Sequence, residues 1–168
     1  MVDAETISVI FGGIGLGIAA IYYVLNLKTQ LETRKVQLFE QLARQFGTNE
    51  FQREAAQLLT MQWTDFDDFT RKYDSSVNPE NWSIRSVHWG LLENVGYSLK
   101  KGLIDPDMAF YMLGGFYAVW MWEKFGGVIK QYRTAINLPH WYTHFEYLAE
   151  EVNRRHPLKV RPEYGNIS

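Results

Sequence analysis

The chain has 168 residues, no cysteine and a formal net charge of −2. The lack of cysteine excludes a disulfide framework, thiolate metal ligands and a cysteine nucleophile. No run of Lys or Arg exceeds two residues, and Asp3 and Glu5 account for the small acidic excess. Nucleic-acid-binding proteins carry a concentrated basic surface, so the composition predicts no nucleic acid partner.

The first structural signal is an uncharged segment from Thr6 to Leu27. At about 1.5 Å rise per residue, this segment would span roughly 33 Å as a helix, which matches a hydrocarbon core of about 30 Å. Asp3 and Glu5 make the preceding end acidic, whereas a cleaved signal peptide begins with a basic region. We therefore predict one transmembrane helix within residues 1–27, anchored in the lipid bilayer.

The charges beside this segment predict its orientation. Lys28, Arg34, Lys35 and Arg44 follow it, and no Lys or Arg precedes it. Because basic flanks stay on the cytoplasmic side of a membrane, we expect a single-pass protein of the cell membrane. Its N-terminus would lie outside the cell and its C-terminal domain in the cytoplasm.

Small residues recur at four-residue intervals within the same segment. The spaced pairs are Ser8 and Gly12, Gly13 and Gly17, and Gly15 and Ala19. Such spacing lets two membrane helices approach closely, although glycine is also common in membrane helices that lack this role. The pattern favours helix association, either with a second copy of the chain or with another membrane protein.

Helical character continues beyond the uncharged segment. No Pro or Gly occurs from Lys28 to Phe46, and Gly47 is a typical C-terminal residue of a helix. One helix from Thr6 to Phe46 is therefore predicted. Thr48 or Asn49 would cap the next helix. The apolar face of that helix is Phe51, Ala55, Leu58 and Leu59.

The middle of the chain predicts two further helices. Thr64 and Asp67 resemble a capping pair that opens a short helix from Asp65 to Tyr73. A longer helix is predicted from Pro79 or Glu80 to Lys101. Its inner face follows a 3.6-residue period through Ile84, Val87, His88, Leu91, Leu92, Val95 and Leu99.

The C-terminal half predicts a buried helix and a final one. Asp105-Pro106 is a strong helix start, and the helix to about Lys124 is apolar nearly all round. Gly126-Gly127 would break the chain, which resumes over residues 128–136. Pro139 would open the last helix. The fold class is therefore all-α: a transmembrane helix in residues 1–27, a cytoplasmic helical bundle over 28–157, and a polar tail over 158–168.

Three charged residues in apolar surroundings are candidate site residues. Glu93 and Glu123 lie on the two most apolar helices, where a carboxylate pair can support proton chemistry or metal binding. Alternatively, each pairs with Arg133 or another donor and stabilises the bundle, because a buried charge requires a partner. The structural role is the favoured interpretation.

The histidines offer a weak metal motif. His140 and His144 are four residues apart and would share a helix face, with Glu146 or Glu123 as a third ligand. Pro139 would place His140 in the first helical turn, where an imidazole also serves as a cap. We therefore expect no metal site and no cofactor.

The run from Leu91 to Val152 resembles a known family. It carries Glu93 and Gly96 in a Glu-x-x-Gly helix, the turn Lys101 to Asp105, Trp122-Glu123, Arg133, and Phe145 to Ala149. This pattern resembles a family of uncharacterised prokaryotic membrane-anchored helical proteins classed as a domain of unknown function. The resemblance implies a membrane-anchored helical architecture and implies no reaction.

These features favour a non-enzymatic function. We expect an accessory or scaffold subunit that joins a membrane complex or associates with itself through the transmembrane helix. The alternative is a sensor domain for a small molecule or a metal on a membrane anchor. An enzyme is the third hypothesis, because only the carboxylates and histidines above are candidates for catalysis.

Overall fold

The structure, a computed structural model, describes the backbone of residues 4–112 and 116–157 and the side chains of residues 13–111 and 116–157. Across these ranges the chain is helical and contains no β-strand. The all-α prediction is thereby confirmed. The helices are α1 Ala4–Phe46, α2 Asn49–Thr60, α3 Phe66–Tyr73, α4 Pro79–Lys100, α5 Pro106–Met112, α6 Tyr117–Ala135 and α7 Thr143–Arg155. The predicted tail, residues 158–168, lies outside the described residues.

The chain divides into two units, Met1–Leu38 and Phe39–Ser168. We call the first the N-terminal helix segment and the second the bundle. The helix α1 is continuous through the boundary, as its lack of Pro and its helix-forming residues predict. It ends at Phe46, and the amide of Gly47 donates to the carbonyl of Ala43.

Large apolar side chains are exposed along the N-terminal helix segment. From Ile14 to Leu27 the exposed fractions reach 75% at Leu16. Over the residues whose side chains are described, no helix combines the length and the apolar character that crossing a membrane requires. The predicted membrane segment, residues 6–27, begins before Gly13 and so lies partly outside those residues.

The start of α2 confirms a local prediction. The hydroxyl of Thr48 accepts a hydrogen bond from the amide of Phe51, which satisfies one of the free amides of the first turn. The predicted apolar face, Phe51, Ala55, Leu58 and Leu59, is buried.

The cap of α3 lies one residue later than predicted. Asp65, rather than Thr64, caps the helix, and its carboxylate accepts from the amide of Asp68. The amide of Thr64 donates to the Asp68 carboxylate. Asp68 therefore makes the second hydrogen bond of the capping pair, which was predicted for Asp67. An Asp at the cap with acidic residues in the first turn suits the positive end of the helix dipole.

Helix α4 begins at Pro79 behind an Asn78 cap. Its predicted inner face is buried at His88, Leu91, Leu92, Val95 and Leu99. Val87, also predicted to face inward, is 60% exposed. Arg85 takes an inner position instead, because its guanidinium packs over the rings of Phe69 and Trp89 and bonds the Asn81 side chain.

The predicted single helix from Pro106 to Lys124 is wrong in its bounds. α5 ends at Met112, residues 113–115 lie outside the described part, and α6 runs from Tyr117 to Ala135. The predicted break at Gly126-Gly127 is also wrong. The buried neighbours Phe125, Val128 and Ile129 hold this turn in the core, which outweighs about 1 kcal/mol of lost helix propensity per glycine.

The last helix begins later than the prediction from Pro139. α7 starts at Thr143, after a turn in which Asn137 and Tyr142 adopt positive φ angles of 54° and 55°. The helix packs mainly against α4 and α6. It contributes Phe145, Leu148, Ala149 and Val152 to the core.

Phe125 occupies the centre of the aromatic core. It is fully buried and contacts the rings of Trp63, Phe69 and Trp89 at centroid distances of 5.3, 6.4 and 5.4 Å. Aromatic pairs at such distances stabilise a core beyond the area they bury. The bundle therefore brings α3, α4 and α6 together around one side chain.

Candidate functional site

Glu93 on α4 caps the N-terminus of α7. Its carboxylate accepts hydrogen bonds from the amide of Phe145 and from Nδ1 of His144, both at 2.7 Å. Tyr142, at the N-cap position, makes no side-chain cap hydrogen bond. Glu93 therefore supplies from another helix the acceptor that this helix start lacks, and its negative charge suits the positive end of the helix dipole.

Gly96 allows the same two helices to meet. A Cβ atom at this position would overlap the carbonyl oxygen and carbon of His144. Only hydrogen fits there, because both overlapping atoms belong to the backbone and cannot rotate away. The Glu-x-x-Gly pattern of α4 is thus a docking surface for the start of α7.

Arg133 near the end of α6 holds the turn before α7. Its guanidinium donates to the carbonyls of Trp141 and Tyr142 at 2.7 and 3.0 Å and to the Glu146 carboxylate at 2.6 Å. Lys130 pairs with the other oxygen of Glu146 at 2.8 Å. These two cations lower the pKa of Glu146 against the opposing effect of its partial burial.

Glu93 and Arg133, two of the predicted site residues, have different partners. Glu93 bonds His144, and Arg133 bonds Glu146. Glu123 lies at an exposed position of α6. Glu93 and Arg133 each have a partner within the bundle, and the carboxylate pair of Glu93 and Glu123 stays a prediction.

The two histidines do not share a helix face. His140 lies in the exposed turn before α7, whereas His144 lies within that helix and bonds Glu93. In the described residues, no group of three or more metal-ligating side chains occurs. The prediction that Pro139 opens a helix through both histidines was wrong, because the left-handed Tyr142 delays the helix start.

The family-like motifs lie at contacts and turns between helices. Trp122 contacts the Phe145 ring at 5.1 Å and covers Gly126. At the end of α4, Gly102 has a φ of 67° in the turn to α5, where Asp105 caps the amide of Met108. The motif residues therefore build the joints between helices.

The predicted small-residue positions lie on an open helix surface where they are described. A Cβ atom at Gly13, Gly15 or Gly17 would meet no atom within 4 Å. Ala19 is exposed. Ser8 and Gly12 lie outside the described side chains.

A buried polar relay was not predicted. His88 is fully buried beneath the ring of Phe51, with centroids 4.1 Å apart. Its Nε2 lies 3.1 Å from the Glu54 carboxylate, and its Nδ1 bonds the Tyr117 hydroxyl. Burial lowers the pKa of His88 and raises that of Tyr117, so both stay neutral. Tyr117 then donates to Nδ1, and Nε2–H donates to Glu54.

The relay ends at an open cleft between α2 and α4. The cleft has a volume of about 610 Å³, and Glu54 lines it together with Glu50, Phe51 and residues of α4. The side chain of Glu54 is 23% exposed. One end of the relay is therefore in the core, and the other is a carboxylate that a ligand can reach.

Sequence reasoning placed His88 on the inner face of α4 but did not identify its partners. One weak signal indicated that Glu54 lies near the core, because it directly precedes Ala55, a buried residue on the apolar face of α2. Tyr117 lies 29 residues from His88 along the chain, so only the fold reveals their contact.

Comparison with known proteins identifies a family match. Residues 7–152 match a family described as Domain of unknown function (DUF4760). No curated protein matches the chain, and no solved structure does.

Proposed function

The chain belongs to the DUF4760 family, and we propose that it is a membrane-anchored accessory or scaffold subunit. The N-terminal helix segment anchors it in the lipid bilayer, where it joins a membrane protein or a second copy of the chain. The anchor crosses the cell membrane once, with its N-terminus outside and the bundle in the cytoplasm. The bundle braces the partner.

The uncharged, exposed surface of residues 14–27 in the N-terminal helix segment carries this proposal. From Ile14 to Leu27 the large apolar side chains are open on every side of the helix, and no charge interrupts them. Exposed apolar surface of that extent is unfavourable in water and favourable in lipid or against another helix. The open glycines Gly13 and Gly17 suit close helix packing.

The use of the motif residues in the bundle also supports the proposal. Glu93, Gly96 and Arg133 make contacts that fix α7 against α4 and α6. Such contacts fix the position of α7 relative to α4 and α6, as a brace or scaffold requires.

Extraction of the full chain from its native membranes tests the proposal. We expect the protein to stay in the membrane fraction after washing with alkaline carbonate. Mild detergent should release it from that fraction. Sizing and mass spectrometry should then find a membrane protein at fixed stoichiometry, or a defined multimer of this chain. Recovery in the soluble fraction contradicts the anchor, and a lone monomer in detergent contradicts the accessory role.

Two matched double variants test association through the small residues. Gly13→Leu with Gly17→Leu fills one side of α1, and Gly15→Leu with Ala19→Leu fills nearly the opposite side, since successive residues are about 100° apart. All four changes increase apolarity, so membrane insertion is retained. We expect one pair to reduce the assembly size and the other to leave it unchanged. An unchanged size in both rejects small-residue packing.

A further inference from the structure

The α4 side of the cleft between α2 and α4 carries an apolar stripe. Ile84, Val87 and Leu91 form this stripe at helical spacing, and the polar residues beside it are Ser83, Ser86 and Asn94. Val87 is 60% exposed, although it follows the period of the inner face. A stripe of this kind beside a neighbouring helix is the surface that an amphipathic helix recognises.

The opposite wall is negatively charged. Glu50 and Glu54 are one helical turn apart on α2 and both line the cleft. The residues that line the cleft, all within the described ranges, include no Lys, Arg or His. Nε2 of the buried His88 lies 3.1 Å from the Glu54 carboxylate and holds that carboxylate in position. A cationic group entering the cleft would meet an anion already fixed in position.

Gly90 leaves open space on the α4 side of the cleft. A Cβ atom at Gly90 would meet no atom within 4 Å, so the fold itself leaves room for a side chain there. The glycine therefore contributes open volume to the cleft. It also allows the cleft to be filled without disturbing the packing of the bundle.

We propose that this cleft binds a helical segment of a partner protein that carries an Arg or Lys side chain within an apolar face. The apolar face would cover Val87 and Ile84, and the cation would pair with Glu54. The open shape favours a helix over a free small molecule, because small-ligand sites enclose most of their ligand. This inference rests on the proposed accessory function and names the surface that the partner uses.

The test measures binding of a designed peptide to the full chain in a neutral-lipid nanodisc. The probe is a lactam-bridged amphipathic helix of about four turns, with Leu along one face and two Arg beside it. Its twin carries citrulline, a neutral isostere, at both Arg positions. Fluorescence anisotropy at physiological ionic strength gives the affinities, with an empty nanodisc as the blank.

Three protein variants locate the binding site. Glu54→Gln removes the charge, and Gly90→Leu fills the cleft. Gly127→Leu is the matched control, because Gly127 is also a helical glycine with open space and does not line the cleft. Circular dichroism confirms that each variant keeps its helices.

We expect Glu54→Gln and Gly90→Leu to weaken binding by about tenfold or more, which corresponds to about 1.4 kcal/mol. Gly127→Leu should bind as the native chain does, and the citrulline twin should bind as weakly as the Arg peptide binds to Glu54→Gln. Equal binding by native chain and Gly90→Leu overturns the proposal, as does equal binding of both peptides. Agmatine binding as tightly as the peptide would assign the cleft to a small cation instead.

The peptide assay does not depend on membrane extraction. The chain could bind the peptide at the cleft and still extract as a lone monomer, which would contradict the accessory role and support the cleft assignment. A stable native complex with no peptide binding would contradict only the cleft assignment.

Discussion

At the residue scale, each polar side chain of the bundle takes its role from the group with which it forms a hydrogen bond. Glu93 accepts a hydrogen bond from the backbone amide of Phe145, which has no acceptor within the first turn of α7. Glu54 accepts from a buried imidazole. Both are carboxylates on an otherwise apolar face, yet one joins two helices and the other opens to a cleft. Their different surroundings produce the different roles.

We predict that Glu93→Gln destabilises the bundle by about 1–2 kcal/mol, because a charged cap at a helix start is replaced by a neutral one. Urea unfolding of the full chain in detergent, followed by circular dichroism, measures this. Glu150→Gln on the exposed face of α7 is the matched control and should change stability by less than about 0.5 kcal/mol. Equal effects of the two substitutions contradict the capping role.

We predict that the free energy of unfolding falls on acidification below about pH 6.5, because burial lowers the pKa of His88. The unfolded chain then binds a proton that the native chain does not. The groups facing His88 are Glu54 and Tyr117 from the helices packed against it. The stabilisation is complete above the ordinary histidine pKa and is lost as the pH falls towards the folded value.

The measurement is urea unfolding between about pH 8 and pH 5.5, the range where histidine titrates. His88→Gln should be less stable overall and should show a shallower dependence over this range. The same slope in both proteins would rule out His88 as its source.

At the element scale, residues of other helices determine the position of α7. Its cap comes from α4, its close approach needs Gly96, and its preceding turn is held by Arg133 on α6. An element with this dependence has little stability alone, since a helix of about 12–15 residues is marginal in water. The stability of α7 therefore depends on its contacts with α4 and α6.

We predict that Gly96→Ala destabilises the bundle by about 2–4 kcal/mol, because the new Cβ overlaps the backbone of His144 and the helices must separate. Gly127→Ala is the matched substitution in open space. It should stabilise by up to about 1 kcal/mol through helix propensity. Urea midpoints compare the two, and a tolerated Gly96→Ala would show that the junction is looser than described.

We predict that Arg133→Lys increases amide hydrogen exchange over residues 141–146. Lysine keeps the charge opposite Glu146 but lacks the planar donor set that also reaches the carbonyls of Trp141 and Tyr142. Exchange should rise there and stay unchanged in α2. Uniform change across both regions would indicate general destabilisation instead.

At the scale of the whole molecule, the chain combines a bundle with a dense aromatic core and a helix segment with exposed apolar side chains. The bundle buries its aromatic residues around Phe125. The N-terminal helix segment exposes Ile14 to Leu27. We propose lipid as the surroundings of the N-terminal helix segment, because its exposed apolar side chains are unfavourable in water.

We predict that Phe125→Ala lowers the unfolding free energy by about 3–5 kcal/mol, because it leaves a cavity at the meeting point of α3, α4 and α6. Leu138→Ala, at a side chain that is 51% exposed, should have little effect. Loss of Trp63 and Trp89 packing should appear in the near-ultraviolet circular dichroism. A small effect of Phe125→Ala would contradict a single shared core.

The sequence by itself determined the features that depend on neighbours along the chain. Thr48 and Asp105 were identified as helix starts, and the buried face of α2 followed from its 3.6-residue period, because caps and periodicity act within a few residues. Only the tertiary structure decided that Glu93 meets His144, that Gly96 meets a backbone carbonyl, and that α6 continues through Gly126-Gly127. Those outcomes depend on which helices pack together, and packing joins atoms far apart in sequence, where no local pattern records the partner.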